Sequence, residues 1–158
     1  MGRIVVGMFA GLALLAAVPV VQAAEITFKS TAPALAREVV AREVPTLRLT
    51  GALRQGDAAA MRRILAKLKA ETPALGEGPL ATVELSSIGG DLNEGLEMGY
   101  LFRDFNVATV VRRRDICLSA CALAFLGGTA SREGTERTVA HSVEVGARLG
   151  FHTFYLNA

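Results

Sequence analysis

The sequence predicts an α/β protein with a mainly parallel sheet covered by helices. Short β-branched or alternating apolar runs take turns with stretches of helical periodicity, three times along the chain. Such alternation requires crossover connections, which favour parallel strands. The 158 residues are 51% hydrophobic, enough to bury the core of one domain.

Part of the apolar content lies in an N-terminal segment. Residues 4–24 carry no charge, follow the basic Arg3 and are interrupted by Pro19. With small residues leading up to Ala23, this pattern predicts a signal peptide over residues 1–23 and a periplasmic or secreted protein. The alternative is a retained membrane anchor over residues 4–24, because 21 residues can span a bilayer.

The mature chain is predicted to be nearly neutral. Cleavage leaves 135 residues with 16 basic and 15 acidic side chains. This balance gives no electrostatic basis for binding nucleic acid. We predict one domain over residues 46–158, preceded by an N-terminal extension over residues 24–45 that contains an extended lead-in segment or edge strand and a short amphipathic piece.

The first predicted unit is a strand followed by a helix. Leu47 and Leu49 alternate with polar residues, which predicts a strand over residues 46–53. Asp57 is the predicted N-cap of a helix over residues 58–71, whose apolar residues recur at helical spacing. The remaining helix positions carry basic residues that indicate a solvated face rather than a binding patch: Arg62, Arg63, Lys67 and Lys69.

The second unit follows a Gly/Pro-rich loop. Residues 82–85 are predicted to form a short strand, and a turn over residues 86–90 leaves it. Asp91 is the predicted cap of a helix that continues to about residue 104.

The third unit begins with the β-branched run of residues 107–111, a predicted strand. A compact apolar stretch over residues 122–126 follows and is predicted to be helical. The polar residues 129–137 predict a loop.

Two strand-to-helix turns carry residues suited to chemistry. In the first, Gly89 and Gly90 allow positive φ and can expose backbone N–H groups at a helix N-terminus. Such groups can hold an oxyanion. The alternative is a glycine turn that binds no ligand.

The second turn carries Ser119, between Cys117 and Cys121. The serine could be a helix N-cap and nothing more. A serine nucleophile needs a base, and the mature chain has only His141 and His152. His152 ends an apolar frame, Leu-Gly-Phe-His, in which a histidine is usually a packed core residue.

The combined motifs are more specific than any one of them. They are Leu-Thr-Gly, Gly-Asp, Ser-x-Gly-Gly, Cys-x-Ser-Ala-Cys-Ala and Leu-Gly-Phe-His, over residues 47–152. Together with the signal peptide, they resemble the exported Clp-like predicted periplasmic proteins, and more broadly the Clp-type serine proteases of the Clp/crotonase superfamily. The resemblance implies a repeated ββα fold with a mostly parallel sheet and flanking helices, short of the family's C-terminal elements.

The resemblance also implies roles for individual residues. Ser119 matches the nucleophile and His152 the general base of a serine peptidase. The backbone N–H groups of Gly90 (or Gly89) and Ala120 match the oxyanion hole. The implied substrate is a peptide or protein, the chain could form a homo-oligomer, and no cofactor or metal is implied.

The third member of the triad has no match. In the Clp pattern an Asp lies well downstream of the histidine, whereas this sequence ends six residues after His152. Four upstream acids sit at predicted helix starts or loops and cannot be assigned to His152: Asp57, Asp91, Asp104 and Asp115. The alternative function is therefore a non-catalytic or truncated Clp/crotonase-fold module for binding or assembly. A crotonase-like acyl-CoA enzyme is disfavoured by the predicted export.

The two cysteines leave three interpretations open. Cys117 and Cys121 are four residues apart, which on a helix brings their Cα atoms within bridging range, so a disulfide could form in an oxidising compartment. They could instead be buried thiols, or one could be a nucleophile. Zinc is disfavoured because two Cys and one His provide only three ligands at unusual spacing.

Overall fold

The computed structural model describes residues 24–29, 44–72, 78–132 and 136–153. The predicted signal peptide and most of the predicted N-terminal extension lie outside these residues. No helix in the described part of the chain is long and apolar enough to span a membrane.

The chain alternates strands and helices, as predicted. The elements, in chain order, are β1 Glu25–Lys29, β2 Thr46–Thr50, α1 Asp57–Glu71, β3 Ala81–Ser86, α2 Leu92–Asp104, β4 Val107–Val111, β5 Ile116–Leu118, α3 Ala120–Leu126, β6 Thr129–Arg132, β7 Glu136–Val139, β8 His141–Val143 and β9 Arg148–Gly150.

The largest sheet is mixed and mostly parallel. Its strand order is β1-β2-β3-β4-β8, with β1 antiparallel to β2 and every other neighbouring pair parallel. The prediction of an α/β fold with a mainly parallel sheet and flanking helices is thereby confirmed. The extension contributes an edge strand, β1.

The core forms between this sheet and the helices. Leu47 and Leu49 of β2 are buried, as their alternation predicted, and neighbouring β3 adds Val83 and Leu85. The helices add further large buried side chains to the same cluster, which include Met61, Leu65, Met98, Leu101 and Phe102. Each fully buried side chain of this size contributes about 1.5–3 kcal/mol of transfer free energy.

A second, smaller layer of extended segments follows the strands of the large sheet. Leu53, just after β2, forms a parallel bridge with Gly90, and Ser87, just after β3, forms one with Cys117. β5, which follows β4, pairs in parallel with β9. This layer brings the turns that lead into α2 and α3 next to each other.

The start of α1 corrects the predicted cap. The N-cap is Gly56, with φ 98°, while Asp57 is the first helical residue and its carboxylate accepts from the Arg54 N–H at 2.7 Å. The free amides of the first turn are satisfied by α2: Glu94 accepts from the Gly56 N–H at 2.9 Å and the Ala58 N–H at 2.7 Å. Local sequence could not show a carboxylate that caps another helix.

The prediction that Asp91 caps α2 is confirmed, since its side chain accepts from the Glu94 N–H.

Two further differences concern short strands. The region predicted as a polar loop contains β6 and β7, which pair antiparallel. Residues 129–131 of β6 are half-buried and most of β7 is exposed, including Val139 at 74%, so the apolar alternation that identifies a strand is missing. A three-residue strand that the sequence did not predict, β5, lies between the predicted strand of residues 107–111 and Ser119.

A charge network covers the sheet face opposite the helices. Glu84 of β3 is 4% exposed and forms ion pairs with Lys29, with Arg48 at 3.1 Å and with Arg112 at 2.9 Å. Arg48 also pairs with both oxygens of Asp115. Burial opposes ionisation of Glu84, but the hydrogen bonds from Lys29, Arg112 and Arg48 outweigh it and hold the pKa of Glu84 below its ordinary value.

Glu84→Gln should lower the free energy of unfolding by about 1–3 kcal/mol at pH 7, because three cations lose their shared partner but can partly rehydrate. Since the folded-state pKa of Glu84 is lowered, its contribution is fully present above the ordinary value of 4.5 and is lost as pH falls through the folded-state pKa. Urea denaturation at neutral and acidic pH measures both effects.

Glu71→Gln is the matched control, since Glu71 is exposed and, among the described residues, forms an ion pair only with Lys67, one turn earlier in α1. We expect this change to cost less than about 0.5 kcal/mol. Equal losses in the two variants would contradict the role given to Glu84.

Candidate active site

The register of β5 and β9 brings Ser119 and His152 together. The two strands are parallel and pair Leu118 with Gly150, so the segments that follow β5 and β9 begin at the same edge of this two-stranded sheet. The Ser119 N–H donates to the Gly150 carbonyl at 2.9 Å and extends the pairing by one step. The side chain of His152, two residues after β9, therefore reaches that of Ser119.

Ser119 has an unusual backbone conformation. Its φ of 56° and ψ of −124° lie in a region that L-residues rarely adopt and that costs about 1–3 kcal/mol. It occupies the N-cap position of α3, but its side chain makes no capping hydrogen bond. Instead, the Ser119 Oγ lies 2.7 Å from the His152 Nε2. The hydroxyl is directed at a base.

His152 is held in the tautomer that a general base needs. Its Nδ1 lies 2.9 Å from the backbone carbonyl oxygen of Thr153. A carbonyl can only accept, so the proton of the neutral ring sits on Nδ1, and Nε2 accepts from the Ser119 hydroxyl. The ring is exposed, in contrast to the core histidine that its apolar frame suggested. His141 lies elsewhere, in β8, with its ring 4.8 Å from that of Phe125.

Three of the four upstream acids have other partners. Asp57 accepts from the Arg54 N–H, Asp91 caps α2, and Asp115 forms a two-point ion pair with Arg48. Hydrogen bonding to Arg48 holds the pKa of Asp115 below its ordinary value. Asp104 is the last residue of α2.

The glycine turn lies directly against the serine turn. Gly89 has φ 93° and is buried. A Cβ atom placed on it would be 2.7 Å from the Ser119 Cβ and 3.0 Å from the Ala120 nitrogen. Only a residue without a side chain allows this approach, so Gly89 is required for the two turns to meet.

Two backbone amides remain available beside Ser119. The Gly89 N–H donates to the Ser87 Oγ at 3.1 Å. Within the described residues, the Gly90 N–H and the Ala120 N–H have no hydrogen-bond acceptor. Of the two glycines that the sequence left open, Gly90 is thus the one whose N–H, like that of Ala120, has no acceptor among the described residues.

The structure joins the cysteines in a disulfide. The sulfur atoms of Cys117 and Cys121 are bonded, and both residues are completely buried. Cys117 belongs to β5 and Cys121 to α3, so the bridge spans the turn that carries Ser119. Neither sulfur is therefore a free thiol that could act as a nucleophile.

Sequence reasoning missed a second support of the serine turn. Gly95 and Gly99 place the backbone of α2 against α3: a Cβ on Gly95 would be 2.4 Å from the Ala120 carbonyl oxygen, and one on Gly99 would be 3.1 Å from that of Leu123. The Gly-x-x-x-Gly spacing on one helix face was the available signal, since it permits close helix contact. The close contact at Gly95 fixes the first turn of α3.

Within the described ranges, no three His, Cys, Asp or Glu side chains are grouped as ligands of a metal ion would be. Comparison of the chain with known protein families, with curated proteins and with solved structures finds no match. The interpretation of the site therefore depends on its own geometry.

Proposed function

We propose that the chain is a periplasmic Clp-like serine hydrolase, acting as a peptidase, with Ser119 as nucleophile and His152 as general base. The observation that carries this proposal is the 2.7 Å contact between the Ser119 Oγ and the His152 Nε2. A serine hydroxyl becomes a nucleophile when an adjacent base is placed to accept its proton.

The geometry supports a two-step acyl transfer. As the Ser119 Oγ attacks the substrate carbonyl carbon, its proton passes to the His152 Nε2, a transfer that typically contributes 10²–10⁴-fold to the rate. The tetrahedral oxyanion accepts from the Gly90 and Ala120 N–H groups, each worth about 3–4 kcal/mol of barrier. His152 then gives the proton to the leaving amine, and water, activated by the same base, hydrolyses the acyl-serine.

The fold offers further support for a Clp/crotonase-like architecture. A strand of the large sheet, a short segment of the second layer and a helix follow one another three times. These units are β2 with Leu53 and α1, β3 with Ser87 and α2, and β4 with β5 and α3. This succession supports the proposal of a repeated ββα architecture, although the second extended segment is a strand only in the third unit.

Export is part of the proposal. The uncharged segment over residues 4–24 is typical of a signal peptide, and the Cys117–Cys121 disulfide suits an oxidising compartment. N-terminal sequencing of the protein from a periplasmic extract tests it. We expect the mature protein to begin at Ala24, whereas an intact N-terminus in the membrane fraction would indicate an anchor.

Labelling with a fluorophosphonate tests the hydrolase assignment. We expect one adduct per chain, mapped to Ser119, and none in Ser119→Ala. Ser142→Ala, which removes an exposed hydroxyl from β8, should label like the wild type. Folded protein that takes up no label, or label that persists in Ser119→Ala, would refute the assignment.

A non-catalytic binding or assembly module is the second candidate. It is favoured by a groove of about 240 Å³ between α2 and α3, lined by exposed apolar side chains that include Leu96, Tyr100 and Leu126. Under this alternative, expression of Ser119→Ala in a deletion strain would fully restore the wild-type phenotype. Under the hydrolase proposal it would not.

A further inference from the structure

We propose that the Cys117–Cys121 disulfide positions Ser119, so that the acyl-transfer activity requires the oxidised protein. The inference rests on the proposed function and adds a form of regulation to it. The bridge closes a five-residue loop, 117–121, whose middle residue is the nucleophile.

The two ends of this loop are held by different parts of the fold. Cys117 pairs with Leu149 of β9 and bridges Ser87 of the glycine turn. Cys121 lies in α3, whose first turn is in backbone contact with α2 through Gly95. The disulfide adds a direct covalent link between these two supports to that of the backbone.

The conformation of Ser119 makes this link important. With φ at 56°, the residue is in a conformation that its own backbone disfavours, so surrounding restraints must maintain it. Two of them, the Ser119 N–H bond to Gly150 and the Oγ contact with His152, depend on β9 and the residues just after it. The disulfide is a restraint from the other side, between β5 and α3.

Reduction would alter the space available around Ser119. Two thiols need more room than two bonded sulfurs, because non-bonded atoms stay about 3.5–4.0 Å apart. Both cysteines are completely buried, and α2 already touches the Ala120 carbonyl at Gly95. Leu118 and Ser119 are half-buried, whereas Ala120 is completely buried, so the displacement falls on Leu118 and Ser119. The Oγ then loses its alignment with the His152 Nε2.

The redox step is ordinary thiol–disulfide exchange. A thiolate of an external dithiol attacks one cysteine sulfur and forms a mixed disulfide, which releases the other cysteine. The second thiol of the dithiol then attacks the mixed disulfide and releases the first cysteine. Two electrons and two protons pass to Cys117 and Cys121, and the dithiol becomes a cyclic disulfide. A chain that is still in a reducing compartment would therefore be inactive and would gain activity after export, when exchange with an external disulfide takes up the two electrons and two protons and leaves that disulfide as a dithiol.

The test compares the rate of fluorophosphonate labelling of wild-type protein refolded with and without dithiothreitol. Alkylation and intact mass verify the thiol state, and circular dichroism verifies folding. We expect reduced protein to label at least tenfold more slowly, and removal of dithiothreitol in air to restore the rate. With a nitrophenyl ester, kcat should fall while KM changes less than twofold. Cys117→Ala/Cys121→Ala, which removes the covalent restraint without adding thiol volume, should also label more slowly than the oxidised wild type, whatever the reductant.

Three outcomes would overturn the inference. If verified reduced, folded protein labels as fast as oxidised protein, the bridge does not position Ser119, although the hydrolase proposal stands. If reduced protein is unfolded at the assay temperature, the bridge has a purely structural role. If the oxidised protein takes up no label, the hydrolase proposal fails and this inference fails with it.

Discussion

Replacement of His152 by Ala should lower the rate of Ser119 phosphonylation by about 10²–10⁴-fold, the usual contribution of a positioned general base. The His152 Nε2 is 2.7 Å from the Ser119 Oγ, and its tautomer is held by the Thr153 carbonyl. Because the ring is exposed, the thermal melting temperature should change little. The labelling rate is measured by quenching the fluorophosphonate reaction at intervals and determining the labelled fraction by intact-protein mass spectrometry.

His141→Gln is the control for this prediction. His141 lies in β8 and packs near Phe125, so its replacement removes an imidazole that the mechanism does not use. Its labelling rate should stay within about twofold of the wild type. Equal effects in the two histidine variants would show that the loss at His152 is not specific to proton transfer.

Gly90→Ala should lower the free energy of unfolding by about 2–6 kcal/mol, the sum of backbone strain and overpacking. Gly90 has φ 142°, and a Cβ atom would lie 2.2 Å from the carbonyl oxygen of Leu53 and 2.8 Å from its nitrogen. Both are backbone atoms of the bridge between the two residues, so no side chain can move aside. Urea denaturation at neutral pH measures the loss.

Gly56→Ala separates the two contributions. Gly56 also has positive φ, at 98°, but a Cβ atom there would meet nothing within 4 Å. This variant should lose only the strain component, about 1–3 kcal/mol. If Gly90→Ala is no more destabilising than Gly56→Ala, the close approach of Gly90 to Leu53 is not a real constraint on the fold.

The elements with strong periodicity could be predicted from the sequence. Leu47 and Leu49 alternate because one side of β2 packs on the helices, and Asp91 caps α2 as a local rule requires. The motif resemblance paired Ser119 with His152, and the structure brings the two side chains together.

Long-range pairing could not be predicted. β5 and β9 have three residues each, too few for a periodic signal, yet their register places Ser119 beside His152. Glu94 accepts from the Ala58 N–H of α1, 36 residues earlier in the chain. Glu84 forms ion pairs with basic side chains from β1, β2 and the segment after β4. Such contacts depend on how distant segments meet, which no local pattern encodes.

Trapping of an acyl-enzyme tests the central claim most directly. The protein is mixed with a p-nitrophenyl ester, quenched in acid during the first turnover, and mapped by mass spectrometry, with Ser119→Ala treated in parallel. We expect a burst of one nitrophenolate per chain and an acyl group on Ser119 in the wild type alone. Acylation of other residues only, at the same rate in wild type and Ser119→Ala, would contradict it.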